Sequence, residues 1–284
     1  MIRLFWGVRC PSSFKLKEWK KYLPKKSVPF HFDGSGEGMY GIYHKLKFLD
    51  KDGANVNKVL IILEKRGLSS EDKMNGKGMM DKSNVIGVAP PEISGEPFYK
   101  FYSTYLKKAF DLKFVAAYSD YILFNTYRPY MSRFFQKESG NKLINKINGD
   151  YQVPNGIADN KKDSLAYYQK RIDNGIFYQR PVEHDKKYAI IDKEIEYLQG
   201  IRDIFDKHQT DYRIVLAPTY DQVPMPQHQL NLLVEILGKE HIYNFTGKNK
   251  YTEPISNFFE SDHYKPYVAN EILEEIYGKE NGEN

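Results

Sequence analysis

The run Val59-Leu60-Ile61-Ile62-Leu63 constrains the fold more than any other stretch of the chain. It is apolar at every position and then turns at once to Glu64-Lys65-Arg66. A strand with one wet face alternates polar and apolar residues. One that does not alternate must be covered on both faces, as in a parallel sheet flanked by helices. The residues before it agree. Ile2-Arg3-Leu4-Phe5-Trp6 reads as a first strand ending at Gly7, and Leu16, Trp19, Tyr22 and Leu23 have helical spacing ahead of Pro24. Val28 to Phe32 reads as a second strand. Met39, Ile42, Tyr43, Leu46 and Leu49 mark an amphipathic helix that Asp52-Gly53 breaks. This β-α-β-α-β series predicts a doubly wound parallel α/β sheet.

The alternation lapses between residues 65 and 185 and then resumes. Ile191, Ile195, Leu198, Ile201 and Phe205 predict a long helix, followed by a strand Tyr212 to Ala217. Leu230, Leu233, Val234 and Leu237 predict another helix, stopped by Gly238, and Ile242 to Phe245 predicts a fifth strand. Pro266 suits a first helical turn, and Val268, Ile272 and Ile276 continue that helix. The expected organisation is one domain over 1–284, with a core of 1–64 and 186–278. Residues 65–185 form an insertion covering one end of the sheet. Within it, Phe98 to Phe110 and Phe114 to Tyr127 read as aromatic-rich helices, and 136–163 as irregular.

The composition is 41% hydrophobic and 28% charged, that of a globular rather than a disordered chain. A net charge of +5 comes from scattered Lys residues, not from a stripe, so no nucleic-acid partner is expected. The single cysteine, Cys10, excludes an internal disulfide framework, and the seven His lack metal-ligand spacing. Neither a metal nor another cofactor is therefore expected. No run approaches the roughly 18 apolar residues of a membrane span. Met1 to Gly7 is too short for a signal peptide, so the default expectation is a cytoplasmic chain.

In an open parallel sheet, ligands bind beyond the carboxyl ends of the strands. The segments following the predicted strands are therefore where a site is sought. They are Gly7-Val8-Arg9-Cys10, Gly34-Ser35-Gly36-Glu37-Gly38, Glu64-Lys65-Arg66, Thr219-Tyr220-Asp221-Gln222, and the loop bearing Glu260 and His263. A carboxylate that orients an imidazole forms the base half of a nucleophilic site. His263 is the candidate general base and Glu260 its orienting partner. Cys10, Ser12 and Ser13 are the candidate nucleophiles. The turn around Gly36 can offer N–H groups to an oxyanion, cradle a phosphate, or simply turn the chain. Arg9 can hold an anionic group, and Gly7 and Tyr220 complete the expected binding rim.

Taken together, Glu260-Ser261-Asp262-His263, Gly36 in its glycine-rich turn, Pro218-Thr219-Tyr220-Asp221 and Asn244-Phe245-Thr246-Gly247 resemble the SGNH (GDSL-type) hydrolase superfamily. The closer similarity is to bacterial SGNH-like proteins found near cell-surface polysaccharide genes. The resemblance covers about 1–64 and 186–278 and implies a three-layer αβα sandwich with a flavodoxin-like sheet of five parallel strands, in the order 2-1-3-4-5. In that family a Ser after the first strand is the nucleophile, a Gly and an Asn line the oxyanion hole, and Asp-x-x-His completes the triad. Here Glu replaces the Asp, no Ser lies within two residues of Gly7, and no Gly-x-Asn-Asp follows the third strand. The implied function is an esterase or O-acyltransferase acting on a small-molecule or glycan ester. The alternatives are a degenerate relative that binds a glycan or protein partner without chemistry, and a phosphate or nucleotide binder using the Gly34–Gly38 turn.

Overall fold

The computed structural model describes residues 2–7, 13–32, 38–68, 91–95, 97–99, 102–103, 106, 110–134, 148–150, 165–180, 190, 192–261 and 263–278. In chain order its elements are β1 (Ile2–Gly7), α1 (Leu16–Trp19), β2 (Pro29–His31), α2 (Met39–Lys51), β3 (Val56–Leu63) and α3 (Lys65–Leu68). Then come α4 (Pro91–Ser94), α5 (Leu112–Phe124), α6 (Leu165–Asp173), α7 (Asp192–His208), β4 (Asp211–Leu216) and α8 (Gln227–Leu237). The chain continues through β5 (Ile242–Asn244), β6 (Phe258–Glu260), β7 (His263–Tyr264) and α9 (Pro266–Tyr277).

The fold is α/β. Five strands form one sheet in the order β2-β1-β3-β4-β5, and every pairing in it is parallel. β2 is shorter than the expected span because it opens at Pro29, which has no N–H to give a ladder. That residue is tolerable because β2 is an edge strand. The non-alternating run in β3 is buried on both faces, as its composition requires. Val59, Ile61 and Leu63 point into one cluster with Met39, Ile42 and Leu46 of α2, Leu198 and Ile201 of α7, and Leu233 of α8. Leu60 and Ile62 point into the other, with Leu16 and Trp19 of α1 and Val268, Ile272 and Leu273 of α9. Removing each such side chain from water is worth about 1.5–3 kcal/mol, so helices on both faces are what such a strand demands.

Charged residues are buried as well, and Arg213 is one of them. Arg213, on the α9 face of β4, is 4% exposed. Its guanidinium sits 3.7 Å from the centre of the Tyr277 ring and donates to the carbonyl of Ile276. A cation at the C-terminal end of a helix meets carbonyls that lack intrahelical partners, so the charge is compensated where it is buried. Trp19 Nε1 donates to the Tyr277 hydroxyl at 3.2 Å, and burial pushes that phenol's pKa upward.

Parts of the insertion enter the same framework. His31 N–H donates to Asn148 O at 2.8 Å, extending the edge of β2. Asp150 Oδ1 lies 3.5 Å from the His31 ring and accepts the Leu16 N–H at the start of α1. Burial would raise the Asp150 pKa, but the bond to His31 and the Leu16 amide outweigh it and hold that pKa below the usual carboxylate range. Gly149 between them has φ +73°, and a Cβ there would stand 2.8 Å from His31 O. Only glycine permits that approach. Of the two expected aromatic helices, the second is α5, ended at Asn125 in the left-handed conformation (φ 47°). Most of the first, and all but 148–150 of the span expected to be irregular, lie outside the described residues.

Candidate functional site

The chain order β1, β2, β3 and the spatial order β2-β1-β3 make the boundary between β1 and β3 the switch point of the sheet. Gly7 ends β1 there, in register with Ile62 of β3. Glu64 follows β3 and is buried. The segment with Glu260 and His263 is not the loop that the sequence suggests. It is a short antiparallel hairpin, β6–β7, in which Phe258 pairs with Tyr264 and Glu260 with His263. Phe258 and Tyr264 are each 1% exposed, and burying this cross-strand pair draws the two segments together. The two polar partners stay at the surface.

Glu260 Oε1 meets His263 Nδ1 directly, and both side chains remain about a third exposed, at 31% and 38%. That contact holds the imidazole ring through Nδ1. The hairpin is tied to both sides of the switch point. Ser13, shortly after β1, donates its hydroxyl to Tyr264 O at 2.5 Å, and Phe14 meets the Tyr264 ring edge-on at 6.1 Å. On the β4 side, Tyr220 packs edge-on against Phe258 at 5.5 Å.

These contacts correct two expected roles. Ser13 is fully buried and its proton goes to a backbone carbonyl, so it anchors the hairpin rather than attacking a substrate. Tyr220 is 5% exposed, donates its hydroxyl to Tyr178 O at 3.0 Å, and lies under the Arg180 guanidinium at 4.3 Å. It fastens the end of the insertion to the hairpin and has no face left for a ligand. Arg9, Cys10, Ser12 and Gly36 lie outside the described residues.

The two motifs at the ends of β4 and β5 are also structural. Asp221 Oδ1 accepts from Thr219 Oγ1 at 2.7 Å and from Val223 N–H at 3.3 Å, closing a tight turn. Asn244 Oδ1 accepts from Thr246 N–H and Oγ1, and Thr246 Oγ1 accepts the Met225 N–H at 2.9 Å. Gly247, at φ +75°, permits the turn that follows.

Spacing in the sequence missed the residues that hold the hairpin from below. Lys265 is 1% exposed, and its Nζ donates to the Tyr168 hydroxyl of α6 at 2.7 Å. Tyr168 in turn donates to Ser256 O at 3.3 Å, and Arg171 donates to Phe259 O. Asn257 receives the Tyr267 hydroxyl at 2.7 Å and gives its amide to Tyr251 O at 2.9 Å. The insertion thus supplies part of the support for Glu260 and His263. The only hint in the sequence was a lysine placed between Tyr264 and Pro266, where a solvated cation has little room. No helix among the described residues is long and apolar enough to cross a membrane. No group of three or more His, Cys, Asp or Glu among them could hold a metal ion. Comparison with known proteins found no matching family model, curated protein or solved structure.

Proposed function

We propose that this chain is an SGNH-type esterase or O-acyltransferase that acts on an acylated carbohydrate. The sheet order 2-1-3-4-5, with helices on both faces, supports a flavodoxin-like αβα sandwich, in which sites form at the switch between β1 and β3. The observation that carries the functional reading is the Glu260–His263 contact, held on a hairpin that Ser13 ties to the segment following β1. In this reading His263 Nε2 takes the proton of a nucleophile from that segment, Cys10 or Ser12, as it attacks the ester carbonyl. The leaving alcohol recovers the proton, and water or a second hydroxyl then takes the acyl group by the same route in reverse. Gly36 and the backbone at Gly7 are assigned to the oxyanion, and Arg9 to an anionic part of the substrate.

A second reading follows from Gly7-Val8-Arg9-Cys10, which places no serine at the family's elbow position. It is a glycan binder that retains the cleft without the chemistry. The two separate by labelling the protein with a thiol-reactive probe and with a serine-directed fluorophosphonate, with and without His263→Ala. The expected result is labelling of Cys10 or Ser12 that falls about tenfold or more without the base. Labelling that ignores His263, or no labelling at all, removes the enzyme and leaves the binder.

A further inference from the structure

We propose that Arg171 is a positioning residue for the base: it holds the peptide ahead of Glu260 and so sets how that carboxylate meets His263. The inference rests on the reading of His263 as a general base. The hairpin that carries the pair has two strands among the described residues, and two strands alone are marginally stable in water. Its open end is fastened twice. Phe258 and Tyr264 are buried there, and Lys265 N–H donates to Asn257 O at 2.8 Å. Its turn end carries Glu260 and His263, both partly exposed.

Arg171 reaches that turn end. It lies near the C-terminal end of α6, and its Nη2 donates to Phe259 O. The Phe259 carbonyl and the Glu260 N–H belong to one planar peptide unit. Holding that plane restricts the backbone at Glu260 and with it the direction in which the side chain leaves the strand. The other ties from α6 end at Ser256 O and at Lys265, outside the span Phe258–Tyr264, whereas Phe259 O adjoins Glu260. A charged donor makes the stronger bond to a carbonyl. The guanidinium is itself held, because it lies over the rings of Tyr167 and Phe177 at 5.2 and 5.7 Å, and Phe177 is buried. A planar cation seated on rings is already aimed, so little freedom is lost when it donates. Its Nε is buried with no acceptor among the described residues. An unmet buried donor costs stability, which argues that the guanidinium is there for position and not for stability alone.

The test is the titration of His263 in the full 284-residue chain, followed by NMR of labelled imidazoles and assigned with His263→Ala. Glu260→Gln sets the scale. Loss of the carboxylate should lower the midpoint by about 1 unit or more, because a neighbouring negative charge favours the imidazolium. Arg171→Met keeps an apolar stem and removes the donor. It should lower the midpoint by about half a unit, as the carboxylate meets the ring less closely. Charge alone has the opposite sign, since removing a nearby cation raises the midpoint. A purely structural Arg171 would lower the melting temperature and leave the midpoint in place. If Arg171→Met does not fold, Arg171→Lys carries the same test. It keeps the charge without the planar fork, and should lower the midpoint by less. An unmoved or raised midpoint in the folded variant, with Glu260→Gln effective, overturns the role of Arg171 and leaves the base reading standing. A silent Glu260→Gln removes the pair, and both readings fall with it.

Discussion

Helices α5 and α9 are nearly the same length and both rich in apolar residues, yet they end in opposite places. In α9, Val268, Ala269, Ile272, Leu273 and Ile276 recur at three- and four-residue intervals and are all buried against the sheet, while Glu271, Glu274 and Glu275 take the other side. In α5, leucine, isoleucine and aromatic residues circle most of the helix and only Ala117 is covered. Apolar content alone therefore does not decide burial. α9 is covered because its narrow stripe matches the face of β3 and β4 beside it. α5 presents an apolar arc that no element among the described residues covers.

The largest test of this contrast is a matched pair of truncations. Ile272→Ala in α9 should cost about 2–5 kcal/mol in urea unfolding, through lost transfer energy and a cavity. Leu123→Ala in α5 should fall within about 0.5 kcal/mol of wild type. A comparable loss at Leu123 would mean that α5 packs within the fold. Next comes the support under the hairpin, where a helix of the insertion behaves as α9 does. Tyr168→Phe removes the hydrogen bonds of its hydroxyl to the buried Lys265 Nζ and to Ser256 O, each worth about 0.5–1.5 kcal/mol. Thermal melts measure that loss. If Tyr168→Phe is neutral, the insertion does not support the hairpin.

The smallest effect belongs to a partly exposed tie between α2 and α7, where Asp50 accepts from Lys207 and His208, each at 2.7 Å. The Lys207 bond lowers the Asp50 pKa most, burial opposes it, and His208 assists. A carboxyl with a lowered folded-state pKa stabilises the protein above its unfolded value of about 3.9, and that contribution is lost as pH falls through the folded value. Solvent screening keeps the contribution under about 1 kcal/mol. Asp50→Asn should therefore flatten the stability profile slightly below about pH 4 and leave its shape unchanged near neutrality. A steeper acid loss in the variant than in wild type would contradict this assignment.

The five strands of the main sheet were legible because their signals are local. The unbroken run in β3 and the spacing in α2, α7, α8 and α9 identify their elements without any partner in view. The Glu260–His263 pair was legible for the same reason, since three residues separate the two and any tight hairpin brings them together. Ser13 and Tyr220 were misread. Each stands beyond a strand end, where function is expected, but the groups that claim them lie far away in the chain. Ser13 meets Tyr264 across 251 residues, and Tyr220 meets Tyr178 across 42.

What the sequence alone determined, then, is which segments become the five strands of the main sheet and the helices packed on it, that the sheet needs helices on both faces, and that a carboxylate and an imidazole arrive together near its end. Periodicity and short spacing carry this because they depend only on neighbouring residues. The tertiary structure alone decided which hydroxyls are spent on backbone carbonyls, that Lys265 is a buried strut, and that the apolar arc of α5 stays open. Burial and hydrogen-bond partnership are properties of pairs brought together by the fold. A residue's own type does not say which distant group will reach it first.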